Sequence, residues 1–233
     1  LAFVAAAEYF GLEFSARNDA QGVIQVLDKR LGVTHTIKLY AIFAYESSRK
    51  RMSVVVELPP ALLAQVSGTS PIRVYTKGQD SVLLAALKPG SRGSEPAAMD
   101  RLAVQLNEWA DVALRTLVFA KRELDRAEFD EWYSKYEEAA GSPAEMMKKR
   151  AGQPNAINDL EVALEQDQEL QGATAIEDKL QDGVPEILAD LRKAGIKLWM
   201  LTGDKVGTAK NIAMACNILP TNADILELSL IHI

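Results

Sequence analysis

Apolar and polar residues alternate along the first part of the chain in short runs separated by turn residues. Val23–Leu27, Thr36–Phe43, Arg51–Leu58 and Ile72–Thr76 each carry β-branched or aromatic residues with turn formers before or after them, which predicts strands. They follow one another closely without helices between them, which predicts an antiparallel sheet. A helix is expected ahead of them over residues 2–11, two more near Asp80–Leu87 and Met99–Leu114, and a strand at Thr116–Ala120. Asp125–Ala140 reads as a helix with a solvated charged face, residues 141–154 as a surface loop, and Asn155–Gln168 as an amphipathic helix.

Past Leu170 the pattern changes. Ile187, Leu188, Leu191 and Ala194 share one helical face, with Pro185 in the first turn and Gly195 just past the last. The apolar run Ile196–Leu201 then stops at Thr202-Gly203-Asp204, and a second helical pattern follows. Helix, buried parallel strand, small polar residues and helix make one turn of a doubly wound α/β fold. The expected class is therefore α/β (α+β): an antiparallel-sheet domain with flanking helices over 1–170, and part of a doubly wound domain over 171–227. The last residues, 228–233, run Leu-Ser-Leu-Ile-His-Ile without cap or turn. We expect them to be translated sequencing-adapter read-through, which the codons would test. The start at Leu1, inside a helical pattern, is likewise expected to be internal to a longer protein.

Composition narrows the chemistry more than it defines it. With 233 residues, 48% of them apolar, the chain can bury a substantial core. Its net charge of −6 weighs against nucleic acid as a partner. Cys216 is the lone cysteine, and His35 and His232 stand far apart, so no disulfide and no Cys/His metal cluster is expected. No apolar run reaches the roughly 20 residues that span a bilayer.

Five stretches carry candidate chemistry, each with a plainer reading beside it. In Tyr45-Glu-Ser-Ser-Arg-Lys-Arg-Met-Ser53 an aromatic precedes three cations, which suits base stacking with phosphate contact, or a hairpin with solvated charges. Lys77 in Thr76-Lys-Gly-Gln-Asp80 is a point charge beside a glycine that admits a ligand, or an exposed turn lysine. Arg115, between apolar neighbours, needs a carboxylate or a ligand phosphate. Thr174–Gln181 reads as a strand end and hinge. Thr202, Gly203 and Asp204 can hold phosphoryl oxygens at a helix N-terminus, or Asp204 can simply cap that helix.

In this order and spacing, the five motifs resemble the type IV P-type ATPases, the phospholipid flippases, from Leu1 to about Asn217. The resemblance implies most of a nucleotide-binding domain followed by a limb of a haloacid-dehalogenase-like phosphorylation domain. It implies ATP and Mg²⁺ as cofactors, with the metal ligands outside this stretch. Tyr45 would stack on adenine, where the family usually has Phe, with Ser47 beside it. Lys77 would line the nucleotide pocket, Arg115 would reach the phosphates, and Thr202, Gly203 and Asp204 would receive the γ-phosphate. Gln79 stands where the family usually has Ala. The family's Asp-Lys-Thr-Gly-Thr, whose aspartate is phosphorylated, does not occur in the chain, so no catalytic residue is assigned. The parent is expected to be an integral membrane protein of which this is a cytosolic part. Its expected partners are ATP, a phospholipid and, further, a β-subunit. The alternatives are a haloacid-dehalogenase-like phosphatase with a large cap, and a degenerate nucleotide-binding module that regulates by docking.

Overall fold

In the computed structural model, residues 2–112, 114–177, 180–202, 206–220 and 222–226 are described. The elements in order are α1 (Ala2–Tyr9), β1 (Leu12–Asn18), β2 (Val23–Asp28), β3 (Val33–Phe43), β4 (Arg51–Glu57), α2 (Pro60–Leu63), β5 (Ile72–Gly78) and α3 (Asp80–Ala85). Then come α4 (Pro96–Asp111), β6 (Arg115–Leu124), α5 (Arg126–Gly141), α6 (Pro143–Arg150), α7 (Ala156–Leu164), β7 (Glu169–Ile176), α8 (Val184–Lys193) and α9 (Val206–Ala215). Two compact units result: residues 1–100 with 117–174, and residues 101–116 with 175–233.

The first unit is built on a seven-stranded sheet in strict sequence order, β1 to β7, with each pair from β1–β2 through β5–β6 antiparallel. Alternation sorts its residues onto two faces. Ala41, Phe43, Val55, Ile72, Val74 and Leu124 point to one face and pack with Phe129, Trp132 and Leu164 of α5 and α7. Aromatic rings fill that layer: Trp132 lies edge-on to Phe43 at 5.9 Å and stacks on Tyr136 at 4.9 Å. The Trp132 indole N–H donates to Leu160 O at 3.1 Å, so the ring is buried without an orphaned donor. Asp125 caps α5 by accepting from Glu128 N at 2.7 Å.

Two local differences from the sequence expectation have clear causes. Residues 143–150 form α6, not a loop, because Ser142 caps it, Pro143 opens it, and Lys148, Lys149 and Arg150 end it. Ile196–Leu201 is not a strand: it has no regular structure, with Trp199 86% and Leu201 99% exposed. A parallel strand takes its hydrogen bonds from neighbouring strands, and the second unit contributes none to this run among its described residues. The helix before it does form as expected. Gly183 (φ 84°) caps α8, Pro185 sits in its first turn, and Gly195 (φ 82°) ends it in the left-handed region.

Candidate nucleotide site

The sheet's register assembles one end of β3–β6. Phe43 pairs with Ser53, Ser53 with Thr76, and Thr76 with Ala120, so these four form a row across the strands. One residue along, Met52, Lys77 and Phe119 form the next row, on the face away from α5 and α7. A cavity of about 660 Å³ opens on that face, lined by Met52, Tyr75, Lys77 and Phe119 and by residues 171–174 of β7. That is within the range of small-molecule sites. Its wall is mainly apolar with one cation, which suits a flat aromatic group carrying negative charge.

Lys77 is half-buried, and its Nζ lies 5.0 Å from the centroid of the Phe3 ring of α1. Phe3 also meets Phe119 edge-on at 5.4 Å. Gly78 lets this end close: a Cβ there would come within 2.7 Å of Arg51 Cβ, Leu83 Cδ1 and Lys50 O. The β4–β5 strands and α3 meet over that missing side chain. Thr174 Oγ1, on β7 in the same lining, is buried without a hydrogen-bond partner among the described residues.

Tyr45 and Ser47 are not in the cavity wall. They stand on the exposed turn just past Phe43, at the same end of the sheet as Lys77, and Tyr45 is 60% exposed. Arg115 opens β6, is exposed and falls in the second unit, so the register does not gather it with Tyr45, Ser47 and Lys77. Thr202 is exposed in the second unit, while Gly203 and Asp204 lie outside the described residues.

The cationic run beside Tyr45 is neither ligand-facing nor solvated throughout. Arg49 is buried, and Arg51 is nearly so. The Arg49 guanidinium donates to Glu165, the residue just past α7, and its Nη1 is 2.9 Å from Glu161 Oε2, an ion pair poorly aligned for a hydrogen bond. Arg51 Nε lies 2.5 Å from Glu165 Oε2. Ser53 also donates to Glu165 and shares a 2.9 Å hydrogen bond with Thr76, which accepts from Gln168 Nε2 at 2.8 Å. Lys149 Nζ holds Glu161 at 2.6 Å. Lys50, between the two arginines, faces solvent with φ 52°. Burial pushes the Tyr136 hydroxyl up to about 12, and the neighbouring Glu161 carboxylate adds to the shift.

Met52 and Phe119 escape local sequence reading because only strand pairing sets them beside Lys77. The arginine pairing had a fainter signal: Glu161 and Glu165 lie four residues apart on the stripe that also carries Ile157 and Leu164. Carboxylates on an apolar stripe call for internal cations.

Comparison with known proteins fits this architecture. The family described as haloacid dehalogenase-like hydrolase matches residues 89–228, and the chain belongs to it. Within that family its relatives are phospholipid-transporting ATPases, as the motif order indicated. Phospholipid-transporting ATPase DNF1 of Saccharomyces cerevisiae is 37% identical over 229 residues, 97% of this chain and 13% of that protein. Probable phospholipid-transporting ATPase 11 of Arabidopsis thaliana is 38% identical over 94% of this chain and 17% of its own length. Phospholipid-transporting ATPase IK of Mus musculus is 38% identical over 97% of this chain and 15% of its own. The chain thus spans about one-sixth or less of these relatives. Among its described residues no helix is long and apolar enough to cross a membrane.

Proposed function

We propose that the first unit binds ATP, and that the chain is the nucleotide-binding and partial phosphorylation portion of a phospholipid-translocating P-type ATPase. The observation that carries this reading is the register that sets Lys77 between Met52 and Phe119 at the rim of the 660 Å³ cavity, at the sheet end bearing Tyr45 and Ser47. The adenine stacks on Tyr45, the Lys77 ammonium draws the phosphates, and Arg115 meets them from the chain entering β6. Thr202, Gly203 and Asp204 receive the γ-phosphate.

In the whole protein, a carboxylate outside this stretch attacks the γ-phosphorus in line, the β–γ bridging P–O bond breaks, and ADP leaves an aspartyl-phosphate. Domain closure then couples that bond to phospholipid movement between leaflets, in a membrane protein whose cytosolic portion includes this chain. Among the described residues no cluster of three or more His, Cys, Asp or Glu side chains fits a metal ion. In this reading Mg²⁺ accompanies the ATP phosphates, with its protein ligands outside this stretch.

One aromatic stack contributes roughly 1–3 kcal/mol, and each partly exposed charge contact about 1 kcal/mol at most. Those terms correspond to dissociation constants around the millimolar range. Titration of the chain with ATP, followed by NMR chemical shifts, tests the assignment. We expect binding no tighter than high micromolar, weakened about ten-fold or more by Tyr45→Ala and less by Lys77→Ala. Micromolar or tighter binding that survives Tyr45→Ala would place the site elsewhere.

A further inference from the structure

The Tyr45 ring is mostly exposed, so packing does not fix where it points; the turn beneath it does. That turn is tied at several points. Arg49 N and Lys50 N donate to Glu46 O at 3.0 and 2.7 Å, Arg49 Nη1 reaches Ala44 O at 3.4 Å, and Gln79 N donates to Lys50 O at 3.0 Å. The Arg49 side chain then passes over the Phe43 ring and ends on Glu165, just past α7. Glu165 has no exposed surface, and its two oxygens take Arg49 and Ser53 on one side and Arg51 on the other. A second carboxylate, Glu161, takes Arg49 and Lys149, and Lys149 also lies 4.0 Å from Glu46, the neighbour of Tyr45.

Within this network two buried acids meet three cations, with Glu46 at the rim. A buried ion pair is weak evidence for stability, because desolvation offsets most of its attraction. Its geometric effect is stronger: two guanidinium groups on one carboxylate, one at each oxygen, leave few arrangements of the backbone that carries them. Here β4 begins at Arg51, directly after the Tyr45–Lys50 turn, and Arg49 sits inside the turn.

We propose that Glu165 is a positioning residue for nucleotide binding: by fixing Arg49 and Arg51 it sets the turn that presents Tyr45 and Ser47 to the base. This rests on the ATP-binding reading of the same sheet end. Glu165 itself touches no ligand and acts through the turn.

A double-mutant cycle on the 233-residue chain separates positioning from general loss of structure. The probe is a fluorescent trinitrophenyl derivative of ATP, displaced by ATP itself. Glu165→Gln keeps the side-chain shape and removes the charge. We expect it to weaken ATP binding roughly five- to ten-fold beside Tyr45, and by less than about two-fold in a Tyr45→Leu background. Should Glu165→Gln fail to give a cooperative melt, Arg49→Lys carries the same cycle, since an ammonium cannot span Ala44 O, Glu161 and Glu165 together. Folded variants that bind as wild type overturn the proposal. So does an equal loss with and without the Tyr45 ring, which would mean the network supports the unit in general. Wild-type chain that binds neither nucleotide sinks the ATP-binding reading first, and that result is visible before any variant is made.

Discussion

The two compact units differ in where their partners come from. In the sheet unit each strand pairs with the next one in the sequence, so residues 12–176 supply seven strands and the helices that cover one face. Phe43, Val55, Val74, Val118 and Leu124 have no exposed surface. In the other unit α8 is amphipathic and bounded by Gly183 and Gly195, yet it has no buried residue. The run after it leaves Trp199 and Leu201 in solvent, and among the described residues around α9 only Ala213 and Cys216 are buried. Propensity and capping are enough to write a helix, but a core needs a second layer. An antiparallel meander carries its own layers locally, whereas a parallel strand waits for neighbours remote in sequence.

The sharpest way to break that contrast is truncation in each unit. Phe43→Ala removes a ring packed against Trp132 and Tyr136 and is expected to cost about 3–5 kcal/mol in urea unfolding. Trp199→Ala and Leu201→Ala are expected to change stability by less than about 0.5 kcal/mol. Iodide should quench Trp199 readily and Trp132 poorly. If truncating Leu201 costs as much as truncating Phe43, the run after α8 is buried and the contrast is wrong.

The sequence made the same contrast partly legible. Strands β2 to β5 could be read because alternation records which side of each strand meets the core. β1 could not, since five of its seven residues are exposed and leave no apolar rhythm. At 196–201 the apolar run was read as a buried strand, which the structure does not form: the pairing it needs is not among the described residues. The candidate site divides along the same line. Tyr45 and Lys77 stand out by residue type and motif, while Met52 and Phe119 become neighbours of Lys77 only through lateral pairing. Arg49 was ambiguous between ligand and solvent because its partner Glu165 is 116 residues away. Local pattern reports faces; it does not report partners.

Glycines sharpen the comparison at a smaller scale. Gly78 in the sheet unit is required by crowding, with three atoms within 2.7 Å of an added Cβ. Gly78→Ala should cost about 1–3 kcal/mol by overpacking and should loosen the end of the sheet at Lys77. Gly195 in the other unit has no atom within 4 Å of an added Cβ, and only its φ of 82° resists a side chain. Gly195→Ala should therefore cost about 1 kcal/mol of local backbone strain, and Gly195→Asn less. Equal costs for Ala and Asn at position 195 would mean that packing, not φ, holds the glycine there.

The smallest effect lies at the β2–β3 turn, where a carboxylate is held by a neighbour rather than by a distant partner. Asp28 has no exposed surface, and its Oδ1 accepts from Arg30 N at 2.9 Å and Nε at 3.0 Å, with Oδ2 2.8 Å from Nη2. The Arg30 side-chain hydrogen bonds, working against burial, hold the carboxyl down at about 2. A carboxyl depressed in the folded state binds its proton more weakly there than in the unfolded chain. Its contribution is therefore full above the ordinary aspartate range, near pH 3.8, and is lost as the pH falls through about 2. Asp28→Asn should destabilise the chain at pH 6, and the gap from wild type should narrow steadily between about pH 4 and 2. Arg30 is more than half exposed, so added salt should shrink the gap at pH 6 as well. Urea midpoints for both proteins across this range decide it: a gap that ignores pH and salt would mean that Asp28 acts through its hydrogen-bond geometry alone, with no contribution from its charge.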